Sequence, residues 1–182
     1  MSEFSESYHL KNGSLQDAID LIKKSSQSGY AKKPCKDWVT LVPESAICGF
    51  NCDKKLVKNN TGILVQYIYP EDHGFCFRVF NRNRLVAEYF YDFNDFDESN
   101  IGAALVTNRL NGKELVELLN LKVSEFELVR TLRPTNFSEV MDLHDNFMKL
   151  LQIPPEAYTW VSHRYCKLDK EQCVKSEFIA VT

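Results

Sequence analysis

The densest grouping of chemically capable side chains is Pro70-Glu71-Asp72-His73-Gly74, with Cys76 two residues beyond it. Two carboxylates beside an imidazole could hold a metal or relay a proton, and a Cys–His pair could supply a nucleophile. Glu71, His73 and Cys76 are therefore the candidate catalytic set. The opposing reading is architectural. Consecutive residues of a tight turn splay apart, and Pro, Asp and Gly are what a strand-to-strand turn requires of its backbone.

The second grouping is the acidic run Asp92, Asn94, Asp95, Asp97 and Glu98, interleaved with Phe93 and Phe96. It has the composition of a calcium loop without the spacing. Counted from Asp92, the third ligand position is Phe96; counted from Asp95, the glycine position is Asn100 and the closing glutamate is Val106. An apolar anchor ringed by acid instead suits recognition of a basic protein. The candidate binding surface is thus Asp92, Phe93, Asp95, Phe96, Asp97 and Glu98, with Arg78 and Glu88 on a neighbouring strand.

Cys48 and Cys52 have zinc-like spacing, but the wider Cys166 and Cys173 pair does not complete a structural zinc pattern. Neither a metal nor a cofactor is expected. His144 falls on an apolar helical stripe and reads as a hydrogen-bonded core histidine. No phosphate loop, His-Glu-x-x-His, Gly-x-Ser-x-Gly or dinucleotide fingerprint occurs in the chain.

The elements that must position these groups follow from periodicity. Tyr8 to Lys11 reads as a strand. Ser14 and Asp17 cap a helix carrying Leu15, Ala18, Ile19 and Ile22 on one side, with Gly29 as its stop. Trp38 to Val42 is the next strand, giving a β-α-β start, and residues 44–60 form an irregular excursion. Gly62–Tyr69, Phe75–Phe80 and Leu85–Tyr91 form a three-stranded antiparallel meander. If Arg78 faces Glu88, then Phe75, Phe77 and Val79 share an apolar face with Ala87, Tyr89 and Tyr91. The opposite face, with Gln66, Cys76, Arg78, Phe80, Val86, Glu88 and Phe90, is mixed, so it is either half covered or a contact surface.

Further on, Lys113 to Leu121 reads as a short helix and Phe126 to Leu132 as a strand. Asn136 and Glu139 open a long helix running to Leu151, with Phe137, Val140, Met141, His144, Phe147, Met148 and Leu151 on its inner stripe. Tyr158–Cys166 and Ser176–Val181 read as strands. The pairing of a capped helix with a Trp-bearing strand in 14–42 and again in 136–166 hints at duplication.

The fold expected is α+β: a mostly antiparallel sheet packed against two main amphipathic helices. It is read as one domain over 1–182, with a soft seam near 99–102. The chain has 182 residues, 44% hydrophobic and 26% charged, with net charge −3. The acidic balance and the absence of a dense basic stripe argue against nucleic acid. No apolar run suits a membrane span or a signal peptide, so a cytoplasmic setting with free thiols is expected. The profile fits a non-catalytic interaction module for a basic partner, the kind of role that immunity and antitoxin proteins fill. The alternative is a small enzyme, such as a hydrolase, with a non-local site near Glu71 and His73.

Overall fold

A computed structural model describes residues 3–33, 35–95, 97, 99–168 and 177–182. Eight antiparallel strands form one sheet in the order β7-β6-β5-β4-β1-β3-β2-β8. The strands are β1 (Phe4–Lys11), β2 (Gly29–Lys32), β3 (Trp38–Pro43), β4 (Ile63–Pro70), β5 (Gly74–Asn81), β6 (Arg84–Asp92), β7 (Leu105–Arg109) and β8 (Phe178–Val181). The helices are α1 (Leu15–Lys24), α2 (Lys54–Asn59), α3 (Gly112–Leu119), α4 (Glu125–Thr131), α5 (Phe137–Met141), α6 (Leu143–Leu150) and α7 (His163–Leu168). The α+β class and the antiparallel meander are as the sequence implies. The β-α-β start becomes β1-α1-β2-β3, with β1 pairing antiparallel to both β3 and β4.

The meander register is the one set by the Arg78–Glu88 pair. Phe75 lies opposite Tyr91, Phe77 opposite Tyr89 and Val79 opposite Ala87, and all six are buried. They form the principal core with Leu115, Leu119, Leu128, Leu132, Val140, Phe147 and Met148 from helices α3 to α6. Phe77 is stacked between Tyr89, at 5.5 Å, and Phe147, at 3.8 Å. Each aromatic of this kind buries enough surface that truncation to Ala costs about 3–5 kcal/mol. Two polar tips tie the sheet to the helical layer. Tyr89 donates to Leu132 O at 3.0 Å and Trp38 to Leu151 O at 2.7 Å.

The other side of the sheet is covered by α1 and α2. Ala18, Leu21 and Ile22 of α1 pack with Tyr8, Leu10, Val39, Leu41, Leu56 and Leu64. Ser14 and Asp17 close the expected capping box. The helix ends near Ser25 rather than at Gly29, which instead opens β2 against Pro43.

Several expected elements change type. Residues 126–132 are helical, because Ser124 and Glu127 make a reciprocal capping box that starts α4. The long helix from Asn136 is two helices broken at Asp142, and Phe137 and Met141 of its stripe are exposed. Residues 158–166 are not a strand. Trp160 takes a left-handed turn (φ 57°), and the Ser162 hydroxyl accepts from the Tyr165 N–H at the start of α7. The second half of the proposed duplication therefore lacks its strand. Strand β8 lies within the expected 176–181, whereas β2 and β7, both short, gave no alternation to read.

Candidate functional site

The 70–74 turn and the 92–97 segment meet at one end of the sheet. Gly74, at φ 148°, brings β5 so close to β6 that a Cβ would stand 2.3 Å from Tyr91 O. Its neighbour His73 accepts a hydrogen bond on its carbonyl from Phe93 N–H at 3.1 Å. Phe93 packs edge-on to Tyr69 and Tyr91. Phe4 of β1 pairs with Pro70, so residue 3 arrives at the same place. The Glu3 N–H donates to Glu71 Oε2 at 2.5 Å, and Glu71 N–H donates to Glu3 O at 3.0 Å. Helix α6 supplies the remaining wall. His144 lies flat on Tyr69 with centroids 3.7 Å apart, and Asp145 accepts from Tyr158 OH at 2.9 Å.

The result is an acidic and aromatic end built from Glu3, Glu71, Asp145 and Asp92 around Tyr69, Phe93 and His144. Burial raises the Glu3 pKa, hydrogen bonds from Ser5 and Trp160 partly oppose this, and the Glu71 and Asp145 charges raise it further. His144 supplies little positive charge at neutral pH: burial lowers its pKa, against the pull of Asp145. Among the described residues, the Lys and Arg ion pairs lie elsewhere, at Arg78–Glu88 and Arg84–Glu114. Asp97 is exposed and its pKa is lowered by hydrogen bonds from Ser99.

The candidate catalytic set is divided. Glu71 is half-buried and His73 exposed in the turn, whereas Cys76 is buried on the mixed face of the sheet. Among the described residues, no hydrogen bond joins the three. Burial pushes the Cys76 thiol up to about 12, away from the thiolate a nucleophile needs. His73 instead makes a tilted contact with the Phe4 ring.

Arg78 and Glu88 pair at 2.7 Å, but their side chains are only 12% and 19% exposed. They belong to a polar network that the sequence reading missed. Arg78 also donates to Gln66 Oε1 and to Phe50 O. Gln66 donates to Glu6 Oε1 and Asn51 O, and Glu6 Oε2 accepts from Cys48 N–H at 2.6 Å. The mixed face is thus half covered, by the 47–53 segment, whose Cys48 and Phe50 take left-handed backbone conformations. Burial raises the Glu6 pKa to about 7, against the lowering hydrogen bonds of Gln66 and Cys48. Its only prior signal was a carboxylate at an inward position of β1, visible once the strand is extended back to Phe4.

Cys48 and Cys52 lie on this covering segment, and among the described residues no group of three His, Cys, Asp or Glu side chains is arranged to hold a metal. Phe96, Glu98 and Cys173 lie outside the described residues, as does the side chain of Asp95. No helix among the described residues is long and apolar enough to cross a membrane. Compared with protein-family models, curated proteins and solved structures, the chain matches none.

Proposed function

We propose that this chain is a non-catalytic protein-interaction module that receives a basic partner on the acidic and aromatic end formed by Glu3, Glu71, Asp92, Asp97 and Asp145. The observation that carries this reading is convergence. Two acidic segments some twenty residues apart meet the carboxylate of Glu3, just ahead of β1, and that of Asp145 from α6. Carboxylates gathered without a Lys or Arg ion pair among the described residues repel one another, and a cationic partner relieves that repulsion. Electrostatic complementarity of this kind acts mainly on the association rate.

The test is stopped-flow association with a fluorescent deca-lysine peptide at low ionic strength. Reversing charge with Asp92→Lys and Asp97→Lys should slow association about tenfold, and 1 M salt should abolish the difference. Unchanged rates, or no binding by the unaltered protein, would overturn the reading.

A further inference from the structure

The second face of the sheet encloses a carboxylate that the interaction reading does not use. We infer that it makes the 47–53 segment a proton-gated strap: when Glu6 gives up a proton, the segment lifts and bares Cys76 and Phe90. The register places the groups concerned in two neighbouring rows. Glu6 lies opposite Ile68, Ile68 opposite Cys76, and Cys76 opposite Phe90. One step along, Tyr8 lies opposite Gln66, Gln66 opposite Arg78, and Arg78 opposite Glu88.

The strap crosses both rows. Its Cys48 N–H donates to Glu6 Oε2 at 2.6 Å, and its Phe50 O accepts from Arg78 at 2.8 Å. Its Asn51 O accepts from Gln66 at 2.9 Å, and the Phe50 ring rests on Phe90 at 4.6 Å. Glu6, Gln66 and Cys76 are buried beneath it. These backbone groups of the strap are thus fastened by side chains of the sheet and not by a strand ladder. Cys48 and Phe50 also hold left-handed φ angles of 60° and 54°, which residues with a Cβ adopt at a cost. Such a segment stays down only while its latches hold.

The latch is one positive charge short. Arg78 is paired with Glu88 at 2.7 Å and reaches Glu6 only through Gln66, which accepts from Arg78 and donates to Glu6. The groups that bond Glu6 directly, the Gln66 amide and the Cys48 and Ile47 N–H groups, are neutral. Two carboxylates therefore share one guanidinium under the strap, and the enclosed set is neutral only with a proton added. That proton belongs on Glu6, which is 1% exposed and has no ion pair among the described residues, and not on Glu88, which has the direct pair.

The other groups packed around Glu6 bring no cation. Burial keeps Tyr8 of β1, Cys76 of β5, and Cys48 and Cys52 of the strap neutral. Asp53, at the end of the strap, is an anion: burial works against its charge, but Ser45, Gln27 and the first turn of α2 hold it. Strand β4 contributes neutral Gln66 and Ile68, and Val161 contributes a backbone carbonyl. Burial accordingly raises the Glu6 pKa to about 7. Ionised Glu6 is an enclosed charge without a counter-charge, and lifting the strap brings water to it. With the strap up the ordinary value of 4.5 applies, so opening becomes more favourable as pH rises from 4.5 to 7 and levels off above 7.

The test is amide hydrogen exchange of the full chain by nuclear magnetic resonance from pH 5 to pH 8, corrected for the intrinsic pH dependence of exchange. Protection of the Cys48 N–H should fall on the order of fiftyfold across this range, most of it below pH 7. Protection of Val65, in the centre of the sheet, should not follow it. Glu6→Gln keeps an acceptor without a titrating proton and should hold Cys48 protection constant. Glu88→Gln releases Arg78 to serve Glu6 and should move the fall about one pH unit lower or more. Constant Cys48 protection in the parent, or a fall in step with Val65, would rule out the strap, and the parent profile decides this even where a variant fails to fold. A fall unmoved by Glu88→Gln would refute the charge count on which the inference stands. No ligand takes part, so these results are independent of the basic-partner reading.

Discussion

The molecule gathers carboxylates in two places, one enclosed and one partly exposed, and it treats them differently. On the second face of the sheet, Glu6 and Glu88 are enclosed with Gln66 and Arg78, and each finds a donor: Gln66 and the Cys48 N–H for Glu6, Arg78 for Glu88. At the end of the sheet, Glu3, Glu71 and Asp145 share neighbours but no Lys or Arg partner among the described residues. The first arrangement is internally complete, and its task is to fasten the 47–53 segment over the strands. The second is open: the Asp145 side chain is 41% exposed, and its ion-pair contact is with His144 at 3.5 Å. Burial of a charge alone does not mark a functional site.

Breaking the complete network should have the largest effect. Arg78→Ala leaves Glu88 and Gln66 without their donor in a sheltered place and should destabilise the protein by about 3–5 kcal/mol. Urea unfolding measures this; a loss below about 1 kcal/mol would show the network to be dispensable. Replacing both partners, with Arg78→Met and Glu88→Leu, should cost less than Arg78→Ala alone, because no buried charge is left unpaired.

The next effect is on pH. Glu6 holds its proton up to about 7, so its contribution to stability is full below its ordinary pKa of 4.5 and is lost as pH rises through 7. His9 is fully buried between Ser7 and Thr40, and burial lowers its pKa to about 3. Its contribution is full above the ordinary value of 6.5 and is lost as pH falls towards 3. Between pH 4.5 and 6.5 the two oppose each other, and the stability profile should be shallow. Glu6→Gln should expose the rise with pH due to His9, with an amplitude on the order of 2–3 kcal/mol. Thermal melts across this range check it; an unchanged slope would contradict the assignment.

At the incomplete site the sign reverses. Glu71→Gln removes one of the mutually repelling charges while keeping an acceptor for the Glu3 N–H. It should leave stability unchanged or raise it by about 0.5 kcal/mol, and the same variant should weaken binding of a basic peptide. A destabilisation of more than about 2 kcal/mol would place Glu71 with the structural carboxylates instead.

The contrast also marks what the sequence could reveal. The meander, its register and its apolar face follow from alternation in Phe75–Phe80 and Leu85–Tyr91 together with one charge pair. Capped helices were readable where the cap was noticed. The Ser124–Glu127 box was equally explicit, but the apolar run Phe126 to Leu132 resembles a strand when taken without it. The acidic turn and the acidic run were both legible as local clusters, and their meeting follows from the same β5–β6 register, which sets Gly74 opposite Asp92. What the sequence did not show is the arrival of Glu3, which depends on β1 pairing with β4 from Phe4 opposite Pro70 to Lys11 opposite Ile63. Glu3 and Asp145 carry no local signature, Glu6 only that of a carboxylate at an inward strand position, and all three acquire meaning through what the fold sets beside them.

The most direct test is to map a deca-lysine titration onto the backbone amides by nuclear magnetic resonance. The account predicts saturable shifts concentrated at Glu3, Glu71, Asp92 to Asp97, Asp145 and Trp160, with residues of α1 and the 47–53 segment unmoved. Shifts centred on α1, or spread evenly over the surface, would contradict it.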